Sequence, residues 1–256
     1  MKKPIHITLI FIGLFMLINS CNYLKKKAEK KQLLLYCGIT MIKPITEIVD
    51  IIEKKEDCII EITKGGSGNL LKSIKTSKIG DLYLPGSENY IKTAFAESLI
   101  ADTVFVGYNR LAIMVAKGNP LQIPLNLNSL AQKEYYVVIG NPNSGSVGKA
   151  TKKALQKKGI FESVEQNAIR FTTDSKDLTR AIINKEADIV INWYAPYSWD
   201  NNSDYIDIIE IDKEYAQDKK LTLSLLSYSK HPEIAQKVLD FAASKEGKAI
   251  FAKYGF

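Results

Sequence analysis

Gly65-Gly66-Ser67-Gly68 lies between an apolar run, Cys58 to Thr63, and a segment from Asn69 that has helical spacing. A strand, a glycine turn and a helix start in that order can hold an anion. Glycine lets the backbone approach a ligand closely. The first helical turn offers N–H groups that have no partner in the helix, and Ser67 adds a hydroxyl donor. The same residues would also serve as an ordinary strand-to-helix turn with Ser67 as N-cap. A second polar glycine loop favours the anion reading, because Asn141-Pro142-Asn143-Ser144-Gly145-Ser146-Val147-Gly148 repeats the device before another helix. Thr40, Asp174-Ser175 and Trp193-Tyr194 stand at the ends of three further strands and can add hydroxyls, amides and an indole N–H.

The same residues argue against catalysis. Acyl or phosphoryl transfer needs a base beside the nucleophile. His231 is the only histidine beyond the N-terminal segment, and it sits before Pro232 as a helix-start residue. Ser146-Val147-Gly148-Lys149 lacks the spacing of a nucleotide phosphate loop. Binding without an enzyme activity, a cofactor or a metal is therefore expected. Asp81 reads as a structural hydrogen-bonding residue.

The elements that must position these residues alternate. Leu33 to Cys37 reads as a strand buried on both faces, followed by a helix from Pro44 to Ile52. Strand Cys58–Thr63, helix Leu70–Ile79, strand Asp81–Leu84 and helix Ser87–Leu99 continue the series. A second series places strands at 109–115, 135–139 and 188–192, with helices over 127–132, 149–158 and around Leu178 to Ile183. Strand 221–226 and helices Pro232–Ala243 and Lys245–Lys253 close the chain. Such an order predicts α/β units, each with a mostly parallel sheet flanked by helices. Ligands in open parallel sheets sit beyond the carboxyl ends of the strands. Two facing units would bring Thr40, Ser67, Ser144 to Ser146, Asp174-Ser175, Trp193 and Tyr194 to one cleft.

The N-terminus carries its own signals. Met1-Lys2-Lys3 is basic, Ile7 to Ile18 is almost wholly apolar, and Asn19-Ser20-Cys21 follows. That is a secretory leader, short for a permanent membrane span. Ile18-Asn19-Ser20-Cys21 resembles a bacterial lipobox, which implies a signal peptide over 1–20 and lipidation of Cys21. Residues 21–32 then read as a basic tether. The whole chain has 35 basic and 28 acidic residues, for +7. Residues 1–32 hold seven of those lysines and one acid, which leaves the body with 28 basic and 27 acidic residues, for +1. The surplus suits an anionic membrane surface, and a near-neutral body argues against nucleic acid. Cys37 and Cys58 read as small buried apolar residues without a disulfide.

The order of the pieces also resembles the molybdate-type branch of the bacterial type II periplasmic solute-binding proteins. Tyr36-Cys37-Gly38-Ile39-Thr40, Lys64-Gly65-Gly66-Ser67-Gly68 and Gly80-Asp81-Leu82-Tyr83-Leu84 are similar to that family's opening. Asn109 to Pro120 is similar to its passage into the second domain, and Glu246 to Phe256 to its last helix. The resemblance implies a two-domain α/β fold, with residues 33–106 plus 220–256 in one domain and 107–219 in the other. It implies a small anionic ligand in the cleft, held by Thr40, Gly66, Ser67, Ser144, Gly145, Ser146, Val147, Ser175, Trp193 and Tyr194. Trp193 falls where the family often places a tyrosine. The expected ligand is an oxyanion such as molybdate or tungstate. A small organic phosphate or carboxylate, phosphoglycerate-like, is the alternative, because Lys43 and Lys64 lie near the loops. The implied setting is a monomeric, membrane-anchored lipoprotein on the periplasmic side that serves the membrane subunits of an ABC importer. A surface adhesin or antigen that kept the fold is a further reading.

Overall fold

The computed structural model describes residues 30–256. The expected signal peptide and the lipidated Cys21 lie outside the described residues, as does most of the basic tether. Its last two residues belong to strand β1, Lys31–Gly38, which starts earlier than its apolar run suggests.

Two five-stranded sheets organise the body. The first contains β1, β2 (Cys58–Gly65), β3 (Leu82–Leu84), β4 (Ile100–Asn109) and β10 (Lys219–Leu226), in the order β2-β1-β3-β10-β4. The second contains β5 (Leu111–Ala116), β6 (Val137–Gly140), β7 (Ala168–Thr172), β8 (Ile189–Trp193) and β9 (Ile206–Glu210), in the order β7-β6-β8-β5-β9. Each sheet is mixed. β1–β3, β6–β7 and β6–β8 are parallel, whereas β10 runs antiparallel to β3 and β4, and β5 antiparallel to β8 and β9. The antiparallel strands β4, β5 and β10 are those where the chain passes from one sheet to the other.

Helices α1 (Ile42–Lys55), α2 (Ser67–Ser77) and α3 (Glu88–Ala96) accompany the first sheet. Helices α4 (Ser146–Lys158), α5 (Phe161–Asn167) and α6 (Ser175–Ile183) accompany the second. The chain ends with α7 (Pro232–Ala243) and α8 (Lys245–Lys253). Helix α1 forms because Ile45, Ile48, Val49 and Ile52 share one face, which is buried against Leu33, Leu35 and Cys37 of β1. Ile234, Val238, Leu239, Ile250 and Phe251 of the last two helices join the same core. The chain's end therefore returns to the lobe in which β1 lies. A second core gathers Ile113, Val115, Leu130, Val137, Ile139, Leu155, Ile189 and Ile191 in the other lobe.

Several expectations need correction. The segment 109–115 is not one strand. Asn109 ends β4, and Arg110 separates it from β5. β4 escapes sequence reading because its solvent-facing positions, such as Asp102 and Thr103, break the apolar alternation, while its pairing with β10 holds it in place. β7, β9 and α5 are further elements with weak local signals. The helix expected over Ser87–Leu99 stops at Ala96, where the chain turns through Ser98 at φ 56. Trp193 lies inside β8 rather than after it. Cys37 and Cys58 are both buried and not joined in a disulfide, and burial pushes the Cys37 thiol well up.

Candidate anion-binding cleft

Four chain turns meet at one cavity. From the first lobe come Gly38, Ile39 and Thr40 before α1, and Gly65, Gly66 and Ser67 at the start of α2, joined by Gly86 after β3. From the second come Ser146 and Val147 of α4, Thr173, Asp174 and Ser175 at the start of α6, and Trp193 of β8. The cavity volume is only ≈ 20 Å³, close to the room needed by one water.

Local rules explain the positioning. Gly66, not Ser67, is the N-cap of α2, so Ser67 is the first helical residue and its hydroxyl is free of capping. Gly145 caps α4 at φ 63, a left-handed conformation that glycine adopts without strain. Gly148 allows α4 to approach β6 so closely that a Cβ there would overlap the Asn141 carbonyl. Asp174 caps α6, its carboxylate accepting from Asp177 N at 2.9 Å.

The hydroxyls are oriented by hydrogen bonds. Gly86 N donates to Ser67 Oγ at 2.9 Å, and Trp193 Nε1 donates to Ser146 Oγ at 3.3 Å. Each serine oxygen has therefore accepted one bond and keeps its proton to give. Tyr83 Oη donates to the Ser67 carbonyl at 2.9 Å, and burial raises the Tyr83 pKa, which keeps that donor protonated. Asn192 is wholly buried. Its Nδ2 donates to Ser175 O at 2.9 Å and Thr179 Oγ1 at 3.0 Å, and its Oδ1 accepts from Trp193 N at 2.8 Å. One side chain thus ties the start of α6 to Trp193.

The electrostatics come from backbone. Among the described residues, no lysine, arginine or histidine lines the cavity. Lys64 is exposed, and Lys43 pairs with Asp200 while lying over the Trp199 ring. Helix N-termini carry about half a positive charge each, and their first N–H groups lack helical partners. The cavity is a donor-rich site in which Asp174 is the one acidic side chain, already occupied as a cap.

The structure brings Thr40, Gly66, Ser67, Ser146, Val147, Ser175 and Trp193 together around this space. Ser144, Gly145 and Tyr194 do not line it. Ser144 and Gly145 build the turn that aims Ser146, and Tyr194 lies edge-on to Tyr197 with Arg110 stacked on its ring. Gly65 of the glycine turn and Asp174 beside Ser175 line the cavity as well, whereas sequence reading missed Gly38, Ile39, Gly86 and Thr173. Pro85-Gly86, a turn directly after the apolar residues of β3, is the one signal that could have found Gly86. Away from the cavity, Asp81 accepts from Leu34 N at 2.8 Å, from Ser229 Oγ and from Lys230 N, and His231 is the N-cap of α7.

No group of three or more histidine, cysteine or acidic side chains that could hold a metal ion exists among the described residues. Nor is any described helix long and apolar enough to cross a membrane.

Known proteins of similar build share this architecture. A relative from Haemophilus influenzae, described as a binding protein, is 23% identical over 256 residues, covering 100% of this chain and 98% of its own. The sulfate-binding protein SubI of Mycobacterium tuberculosis superposes with a TM-score of 0.75 at 13% identity, covering 88% of this chain and 86% of that one. PEB3 with bound L-phospholactate gives 0.69 at 20% identity, over 87% and 98%, and PEB3 comes from Campylobacter jejuni. A substrate-binding domain assigned to a molybdenum ABC transporter of Clostridium difficile gives 0.67 at 17% identity, over 88% and 98%. At these identities the structural likeness establishes the two-domain fold. The family model for bacterial extracellular solute-binding proteins matches residues 33–256, and the chain belongs to that family.

Proposed function

We propose that this chain is the extracytoplasmic receptor of an ABC importer and that it holds a small tetrahedral oxyanion, of the molybdate, tungstate or sulfate kind, between its lobes. One observation carries the reading. Four turns rich in N–H and hydroxyl donors surround a cavity that no cationic side chain lines. Dipoles and neutral donors suit a compact anion whose charge is spread over several oxygens. Sulfate is the ligand named for SubI, and the Clostridium difficile domain is named for a molybdenum ABC transporter. The L-phospholactate in PEB3 favours the second reading, in which the phosphoryl group of a small organic acid takes the same place.

The roles follow from position. Thr40, Ser67, Ser146 and Ser175 donate hydroxyl protons, and the amides of Ser67, Ser146, Val147 and Ser175 donate from helix starts. Gly66 gives the anion close approach, and Trp193 orients Ser146. Residues 33–106 with 220–256 form one lobe and 107–219 the other, with the hinge where β4 meets β5 and where the chain enters β10. A ligand that touches both lobes binds the closed arrangement alone and so stabilises it. Cys21 anchors the receptor to the membrane, and the basic tether lies against its surface.

A thermal-shift panel on residues 32–256, stripped of bound ligand by partial unfolding, tests this. The body from Gln32 is compact by itself. A ligand at 100 times its dissociation constant stabilises by about 2.7 kcal/mol. A shift with molybdate and tungstate, or with sulfate, supports the oxyanion reading. A shift confined to phosphoglycerate or citrate replaces it with the second. No shift with any of them refutes both.

A further inference from the structure

The groove beside the cavity has a different chemistry. Its volume is ≈ 160 Å³, and it shares Ser146 with the cavity. One wall is α3 with Tyr90, together with Lys219 at the start of β10. The other is α4 with Lys149 and Lys153. Four residues apart on a helix, those two lysines share a face. None of the three lysines forms an ion pair among the described residues, and no carboxylate lines the groove. Lys149 Nζ stands 5.0 Å from the centre of the Tyr90 ring. Burial and the neighbouring Lys153 charge lower the Lys219 pKa, as expected for an ammonium without a counter-ion.

Tyr90 is 7% exposed, and its ring forms part of the wall beneath Lys149. Like charges gathered without compensation are costly, and one anion in the groove would relieve that cost.

We propose that this groove is a second anion site, distinct from the cavity, that takes a compact multivalent anion of the diphosphate kind. Lys149, Lys153 and Lys219 supply the charge, and the Tyr90 ring forms part of the wall. Lys219 opens β10 at the crossover between the lobes, and the other two lysines lie on α4, so the bound anion ties α4 to that crossover.

The test is calorimetric titration of inorganic pyrophosphate into residues 32–256 and three variants. Wild type is expected to bind one pyrophosphate per chain, with affinity that falls as salt rises. Lys149→Gln/Lys153→Gln/Lys219→Gln should lose at least tenfold. Lys149→Gln/Lys153→Gln alters two exposed side chains only and should lose several-fold with the fold intact. Ser67→Ala removes a hydroxyl of the cavity and not of the groove, and should stay within threefold. Unchanged pyrophosphate affinity in the triple variant, no binding to wild type at millimolar concentration, or loss in Ser67→Ala that matches the lysine variants would each overturn the proposal. Failure of the cavity reading shows separately, in the oxyanion panel, where pyrophosphate has no part.

Discussion

Gly86→Ala separates closure from folding. Gly86 does not occupy the left-handed region, so alanine can take its backbone conformation. The added methyl would overlap Ser146 Oγ and stand 3.1 Å from Ser146 Cβ, with Ser67 Oγ at 3.6 Å. Comfortable carbon contacts need about 3.5–4.0 Å, so the lobes must part by about half an ångström or more, or Ser146 must rotate. Either movement takes the Ser146 hydroxyl from its place. A hydrogen bond to a charged group is worth about 1.5–3 kcal/mol, which corresponds to roughly 10- to 150-fold in dissociation constant. The clash exists only between lobes, so the ligand-free protein can avoid it by opening. Replacing glycine by alanine also lowers the entropy of the unfolded chain, worth about 0.4–1 kcal/mol of stability. The expected result is a ligand-free melting temperature that is unchanged or slightly raised, with affinity down by at least tenfold. Calorimetric titration with the anion that responds in the panel, paired with scanning calorimetry, measures both. Affinity within threefold of wild type, or a stability loss as large as the affinity loss, would refute the reasoning.

Ser67→Ala and Ser146→Ala should each weaken anion binding by about 1–3 kcal/mol. Ser67→Ala leaves the buried Gly86 N–H without its acceptor and Ser146→Ala leaves the Trp193 indole N–H without its own, so each should also cost about 1–2 kcal/mol in denaturant unfolding. Lys64→Gln and Lys43→Gln should leave oxyanion affinity within twofold by titration, because neither side chain lines the cavity. Acid should destabilise the fold. Arg170 holds the Asp177 carboxyl below its usual range, Lys117 and the Gly118 N–H do the same for Asp207, and Lys253 and Tyr254 for Glu47. With folded-state pKa values lowered, the unfolded chain takes up more protons, so stability is full above about pH 5 and falls as the pH drops through about 4. Unfolding midpoints between pH 7 and 3 check this, and Arg170→Gln should flatten the slope.

Much of the site was legible because its devices are local. A glycine turn between an apolar strand and a helix start is written in consecutive residues, and so Gly66, Ser67, Ser146 and Val147 could be picked out as a donor set. Asp81 and His231 were readable for the same reason, one as a short acidic residue beside a strand, the other as the residue before a helix-starting proline. Helix Pro232–Ala243 starts on its proline and Lys245–Lys253 on the Ser244 cap, both have amphipathic faces, and their limits are those expected. The mixed strand directions were not legible, because direction depends on which strand lies beside which. β4 and β9 have weak apolar patterns and exist by pairing with β10 and β5.

The amino-acid sequence by itself determined that this chain alternates strands and helices, that its surplus positive charge sits at the N-terminus, and that several helix starts carry glycine and hydroxyl groups. Those are properties of neighbouring residues. Tertiary structure alone decided that Gly86 and Thr173 face the same small space, that Trp193 and not Tyr194 turns inward to orient Ser146, that Lys43 and Lys64 stay outside, and that Lys149, Lys153 and Lys219 line one groove with Tyr90. Each of these joins residues far apart in the chain, and their distances are set by the packing of two sheets rather than by any spacing along the backbone.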